Sequence, residues 1–150
     1  MTLAITLAAP PDAPRLLPLI EAFHSEYGLS STPESRDAAL MPLLEGSPLG
    51  AVWLFGPTKA PTGYTIITFG WSMEFGGMDA FVDELYIRPA VRQRGLASEA
   101  LRAIASSLAD VGVTALHLEV DRADEATQRL YTRARFELRD RYALMSRRLT

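Results

Sequence analysis

Hydrophobic positions recur along the chain with two periods, and the switches between them mark out its elements. Residues 3–7 alternate briefly, as a first strand would, and Pro10-Pro11 ends the run. Over residues 13–27 the spacing changes. Leu16, Leu19, Ile20 and Phe23 return at intervals of three and four, which predicts a helix with Asp12 as its cap and Gly28 as its stop. Ser31-Thr32-Pro33-Glu34 opens a second helix, with Thr32 at the N-cap, Pro33 in the first helical position and Leu40, Leu43 and Leu44 on one side. Pro42 is expected to shorten or bend it, because a proline ring inside a helix removes a donor and crowds the preceding turn.

The middle of the chain runs on a two-residue period. Residues 50–55 and 63–73 are rich in β-branched and aromatic side chains and flank a Gly-Pro-Thr-Lys-Ala-Pro turn region, which reads as a hairpin. A second turn at Gly76-Gly77 leads into a third strand of the same antiparallel run, residues 79–88. After Pro89, Leu96, Ala97, Ala100, Leu101, Ile104, Leu108 and Val111 mark one face of a helix that Gly112 stops. A short strand over 114–120, a short helix over 123–133 and a final strand pair, 136–139 and 142–146, complete the chain. The order β-α-α-β-β-β-α-β-α-β-β holds no repeat and no linker, and it predicts one domain over all 150 residues: a mixed, largely antiparallel sheet with helices packed on it.

Charge divides this chain at Ile87. Up to that residue three basic side chains stand against ten acidic; beyond it twelve stand against eight, so the formal total of −3 conceals a segment of −7 and one of +4. The asymmetry points the C-terminal half toward an anion and the N-terminal half toward a cation, with solvated surface charge as the plain alternative. The absence of cysteine excludes disulfides, zinc–thiolate sites, iron–sulfur clusters and a cysteine nucleophile. His24 and His117 lack metal-ligand spacing, and no metal is expected. No basic region opens the sequence and no stretch approaches the ~20 apolar residues of a membrane span, so a soluble, cytoplasmic protein without a membrane partner is expected. Nucleic acid is not an expected partner, because Arg139, Arg141, Arg147 and Arg148 are offset by overall acidity.

Chemistry concentrates between Asp83 and Ser98, where a strand ends at Pro89 and the basic loop Arg92-Gln93-Arg94-Gly95 opens a helix at Leu96-Ala97-Ser98. Backbone N–H groups at a helix start are unpaired, the helix dipole is positive there, and Gly95 and Ala97 let an anion approach the backbone. The segment therefore reads as a phosphate cradle. It is no Walker loop, since Gly-Lys occurs nowhere, and it lacks G-x-G-x-x-G. A basic helix cap without a ligand is the simpler reading.

Arg92-Gln93-Arg94-Gly95-Leu96-Ala97 resembles the Q/R-x-x-G-x-G/A acetyl-CoA signature of the GNAT superfamily of N-acetyltransferases, preceded by the expected strand ending Leu85-Tyr86-Ile87-Arg88-Pro89. Downstream, Leu118-Glu119-Val120, Asp124, Leu130-Tyr131 and Phe136 are similar to the family's later motif: a strand, N-x-x-A-x-x-L-Y on a helix, then G-F. Three positions depart from it. Asp124 stands for the usual Asn, Thr127 for Ala and Arg135 for Gly, which removes amide donors at the first and conformational freedom at the last.

The resemblance implies an α+β fold with a mixed, mostly antiparallel sheet of about seven strands and helices on both faces, in α/β/α layers. It implies acetyl-CoA as co-substrate, its pyrophosphate on the N–H groups of Arg92, Gln93, Arg94, Gly95, Leu96, Ala97 and Ser98, and its pantetheine along Leu85, Tyr86 and Ile87. Asp124 and Tyr131 are further cofactor contacts. Leu85 or Tyr86 N–H becomes the oxyanion donor, and a β-bulge separates the strands that flank the thioester. Glu84 and Asp83 are the ranked candidates for the base that takes the acceptor's proton, with Glu119 third, and Tyr131 is the acid that protonates the departing thiolate. Acidic residues Glu21, Glu26, Glu45, Glu74, Asp79 and Asp83 favour a small cationic amine. Protein or peptide acetylation and acyl-CoA binding without catalysis are the alternatives, and a homodimer is an oligomeric option.

Overall fold

The structure, a computed structural model, describes residues 3–150. It divides into two compact units, one ending at Glu119 and one formed by Val120–Thr150.

The first unit is built on a five-stranded sheet of β1 (Ile5–Leu7), β2 (Gly50–Phe55), β3 (Gly63–Ser72), β4 (Gly77–Ile87) and β5 (Ala115–Leu118), in that spatial order. The first four strands pair antiparallel, and β5 joins β4 parallel. Helices α1 (Ala13–Glu26) and α2 (Pro33–Leu44) connect β1 to β2, and α3 (Leu96–Asp110) connects β4 to β5. Leu16, Leu19 and Ile20 of α1 and Leu40 and Leu44 of α2 are buried with Val52, Leu54, Tyr64, Ile66 and Tyr86 of the sheet. α3 lies over the opposite face, where its Ile104 and Leu108 line a cleft with Ile5 and Trp53.

Local chemistry explains the boundaries. Thr32 Oγ1 accepts from Ser35 N–H while Ser35 Oγ accepts from Thr32 N–H, a reciprocal cap that starts α2 one residue before Pro33. α2 passes through Pro42 and ends at Leu44, so the proline acts near the stop of the helix. Gly63 opens β3 because nothing larger fits: a Cβ there would run into the carbonyl oxygen of Tyr86 on β4.

In the second unit, α4 (Glu125–Arg133) follows Asp124 and leads into an extended tail. The expected final strand pair does not form. The turn it needed is present, with Tyr142 N–H donating to Arg139 O at 3.2 Å, but the flanking residues make no ladder and the sheet has five strands instead of about seven. Every residue from 137 to 150 is exposed, so no buried face fixes a register between the two segments. No helix among the described residues is long and apolar enough to cross a membrane.

Candidate active site

The site begins with an irregularity in β4. Ile66 pairs with Glu84 and its neighbour Ile67 with Val82, so Asp83 has no opposite number: it is the extra residue of a β-bulge. β5 leaves at the same place. Its last pair with β4 is Leu118 with Val82, and Asp83 through Ile87 continue with no strand on that side among the described residues. Beyond the bulge, Arg88 N–H donates to Thr62 O at 2.8 Å. Antiparallel alternation then turns the backbone of Tyr86 toward β3 and that of Leu85 and Ile87 away from it. Ile87 O accepts from Arg92 Nε at 2.8 Å.

Simple alternation would send Asp83 and Glu84 to opposite faces; the bulge changes that. The fields of both carboxylates reach the Tyr64 hydroxyl, whose pKa is raised first by burial and then by Glu84 and Asp83. Glu84 is fully engaged: Tyr64 OH donates to Oε1 at 2.7 Å, His24 Nε2 lies 2.7 Å from Oε2, and Thr65 Oγ1 donates to the Glu84 carbonyl at 2.8 Å. Asp83 is exposed as a residue and makes no hydrogen bond or ion pair among the described residues, yet the protein gathered around its carboxyl raises its pKa. Desolvation is the main cause, and His24 pulls the other way. Glu119, the third candidate base, is exposed just beyond the end of β5.

The loop before α3 has the form of an anion nest. Gln93 and Gly95 both take left-handed backbone, with φ of 64° and 75°. Gly95 is the N-cap of α3 and offers no side chain to its first N–H groups, and a Cβ on it would meet nothing within 4 Å. Glu99, the acidic residue of the first turn, accepts from Leu3 N–H at 2.8 Å. Arg92 holds the loop in place: besides Ile87 O, it donates to Glu26 Oε1 at 2.8 Å and stacks over Tyr86 at 5.4 Å. Arg94 is exposed and makes no ion pair or hydrogen bond among the described residues.

The second unit carries Asp124 and Tyr131. Asp124 caps α4: Oδ1 accepts from Thr127 N–H at 3.0 Å and Oδ2 from Thr127 Oγ1 at 2.6 Å, which holds its pKa below the usual value. Two of the three departures from the family motif therefore bond to each other. The third, Arg135, has φ 72°, the left-handed backbone that glycine adopts without strain. Tyr131 lies on α4 with its ring centroid 6.0 Å from that of Phe136.

The acidic residues expected on the acceptor side are dispersed. Glu21 faces Arg36 at 3.8 Å, and Asp79 bonds His117 at 3.1 Å. Phe23 and Tyr27 pack together near the buried Tyr64 and Tyr86, while Trp71, Phe75 and Phe81 are exposed toward the other end of the long hairpin. His24, Ser31 and Tyr64 were not expected near the acidic pair. A signal for His24 existed, because it follows Leu16 and Ile20 at four-residue steps on the buried stripe of α1. Among the described residues no group of three histidine, aspartate or glutamate side chains is placed to hold a metal ion.

Residues 16–136 match the family model described as the acetyltransferase (GNAT) family. The structure is similar to integron cassette protein HFX_CASS3 from the mobile metagenome of Cole Harbour Salt Marsh, with 33% identity, TM-score 0.83, and 97% of this chain and 90% of that one covered. It shares its fold with the aminoglycoside acetyltransferase meta-AAC0020 from an uncultured soil metagenomic sample (16% identity, TM-score 0.80, 99% and 97% covered). The same holds for the ribosomal-protein-alanine N-acetyltransferase of Brucella melitensis biovar Abortus 2308 (18%, 0.76, 99% and 100%). No curated protein matches the chain.

Proposed function

The chain belongs to the GNAT acetyltransferase family, and from that premise we propose that it moves the acetyl group of acetyl-CoA to the primary amine of a small cationic acceptor. The observation that carries this reading is the parting of β4 from β5 at the Asp83 bulge, which leaves outward backbone groups beside a carboxylate that makes no hydrogen bond or ion pair among the described residues. The residues fit acetyl-CoA. Leu85 and Ile87 offer strand backbone for the pantetheine amides, and the loop from Gln93 to Ser98 offers N–H groups without a side-chain cap and the Arg94 charge to phosphate, whereas the Arg92 N–H expected among them already donates to Pro89 O at 3.3 Å. When bound, acetyl-CoA supplies an acyl group activated as a thioester.

The chain's own residues supply the rest. Leu85 N–H, turned away from β3, is the donor we assign to the thioester carbonyl; Tyr86 N–H faces β3, and its ring supports Arg92. Asp83 takes the proton of the acceptor ammonium, since the amine attacks only when neutral and Glu84 is already bonded at both oxygens. A carboxylate whose pKa is raised holds that proton better than an ordinary one. Tyr131 is assigned the proton for the departing thiolate on the family's L-Y motif alone. With no cysteine to carry the acetyl group, the amine attacks directly. The acidic excess up to Ile87 and the acid pair at the bulge support a cationic acceptor.

The test is thiol release from acetyl-CoA with a panel of polyamines, aminoglycosides, lysine-like amino acids and peptides with free N-termini. Release with small amines upholds the reading. Release with peptides alone moves the acceptor class to proteins, and binding of acetyl-CoA without turnover of any amine overturns catalysis.

A further inference from the structure

One polar side chain interrupts the buried stripe of α1. Leu16 and Ile20 are buried, and His24, the next residue on that line, is only 16% exposed in its side chain. Both of its ring nitrogens are bonded: Nε2 to Glu84 Oε2 at 2.7 Å and Nδ1 to Ser31 Oγ at 2.7 Å. Ser31 belongs to the connection between α1 and α2, and there Arg36 NH1 donates to Ser31 Oγ at 2.8 Å and to its carbonyl at 3.1 Å. The Arg36 N–H points at the serine oxygen, so the hydroxyl hydrogen is available to His24 Nδ1. With Nδ1 accepting that hydrogen, Nε2–H donates to the carboxylate, which can only accept. In that tautomer the donors run one way, Arg36 to Ser31 to His24 to Glu84, and Tyr64 OH meets the same carboxylate from β3.

We propose that His24 is a positioning residue for acetyl transfer. Through Nε2 it holds Glu84, and with Glu84 the bulge that presents Asp83; through Nδ1 it holds the α1–α2 connection. The inference rests on the acyl-transfer reading above. An outward proton wire along the same atoms is the competing role, and Arg36 opposes it: a guanidinium at the outer end resists delivery of positive charge there.

The two ends of the strut are separable. The Glu84 end acts on the chemical step and is read in kcat, whereas the Ser31 end acts on the connection and is read in the acceptor KM. His24→Ala cuts both, lowering kcat by about tenfold or more and raising the acceptor KM several-fold. His24→Gln keeps an amide N–H at the reach of Nε2 but cannot bridge to Ser31, so it recovers kcat to within about threefold of wild type while the acceptor KM stays raised. Ser31→Ala raises the acceptor KM at wild-type kcat, and the KM for acetyl-CoA is unchanged in all three. If His24→Gln is no better in kcat than His24→Ala, or Ser31→Ala leaves the acceptor KM unmoved, the strut is wrong. Should His24→Ala fail to fold, the other two variants decide. Nitrogen-15 NMR of the imidazole keeps the question apart from the acyl-transfer reading, which fails if wild type turns over no amine. A proton on Nε2, in the neutral tautomer or the imidazolium, supports the strut, and the neutral Nδ1–H tautomer overturns it.

Discussion

Arg92 and Glu26 lie 66 positions apart in the chain and 2.8 Å apart in the structure. The first basic residue of the loop before α3 is thus committed to a carboxylate at the end of α1 and to the carbonyl of Ile87, which ties the loop to both neighbours. Arg94, two positions on, has no such tie. Arg94→Ala should therefore weaken acetyl-CoA binding by about fivefold, close to 1 kcal/mol, with the melting temperature unchanged and the effect shrinking at high salt. Arg92→Ala should instead lower the melting temperature, since it releases the loop from β4 and α1. Calorimetric titration and thermal melts of the two variants separate an anion contact from a tether.

Asp83 predicts opposite effects on activity and stability. Its folded pKa is raised, so between the ordinary aspartate value and the folded value the native state binds more protons than the unfolded chain, and stability falls as pH rises through that window. Asp83→Asn removes this cost. The variant should melt slightly higher than wild type near neutral pH and equally with it below the window, while losing most of its turnover. The wild-type rate should fall on the acid side at a pH above the ordinary aspartate value, as the base becomes protonated. An unchanged acid limb in Asp83→Asn would take Asp83 out of the reaction.

Tyr131→Phe removes one oxygen from α4 and keeps the ring that meets Phe136. Loss of a general acid costs on the order of 100-fold in kcat, with a much smaller effect on acetyl-CoA affinity. Stopped assays beside a binding isotherm check both halves, and wild-type turnover would remove Tyr131 from the chemistry.

Arg135→Gly should stabilise the protein by about 0.5 kcal/mol. A left-handed backbone costs a side-chain-bearing residue roughly 1–2 kcal/mol, and glycine returns part of that through its freer unfolded chain. Denaturant midpoints of the pair measure the difference.

Much of this arrangement was legible because it is local. The two periods located every strand of the observed sheet and all four helices, and Thr32, Pro33, Gly95 and Gly112 marked boundaries that depend only on nearby backbone. The terminal strand pair was misread because residues 142–146 look like a strand in isolation, whereas pairing needs a buried face that residues 137–150 lack. The acid pair was visible, but its sorting was not. Whether Asp83 or Glu84 is engaged depends on a bulge set by β3 and on partners 60 and 20 positions away, His24 and Tyr64. The same distance hid the commitment of Arg92 to Glu26.

The outward-facing peptide groups of Leu85 and Ile87 have one more implication, for how the site can be probed. A hydrogen bond from a peptide N–H is indifferent to the side chain that the residue carries, so an alanine scan along β4 would report packing and pass over the donor proposed for the thioester. The same indifference leaves position 85 at liberty to drift in sequence without loss of its donor. Only proline, or an ester replacing the amide at Leu85, would silence that donor and so test the role proposed for it.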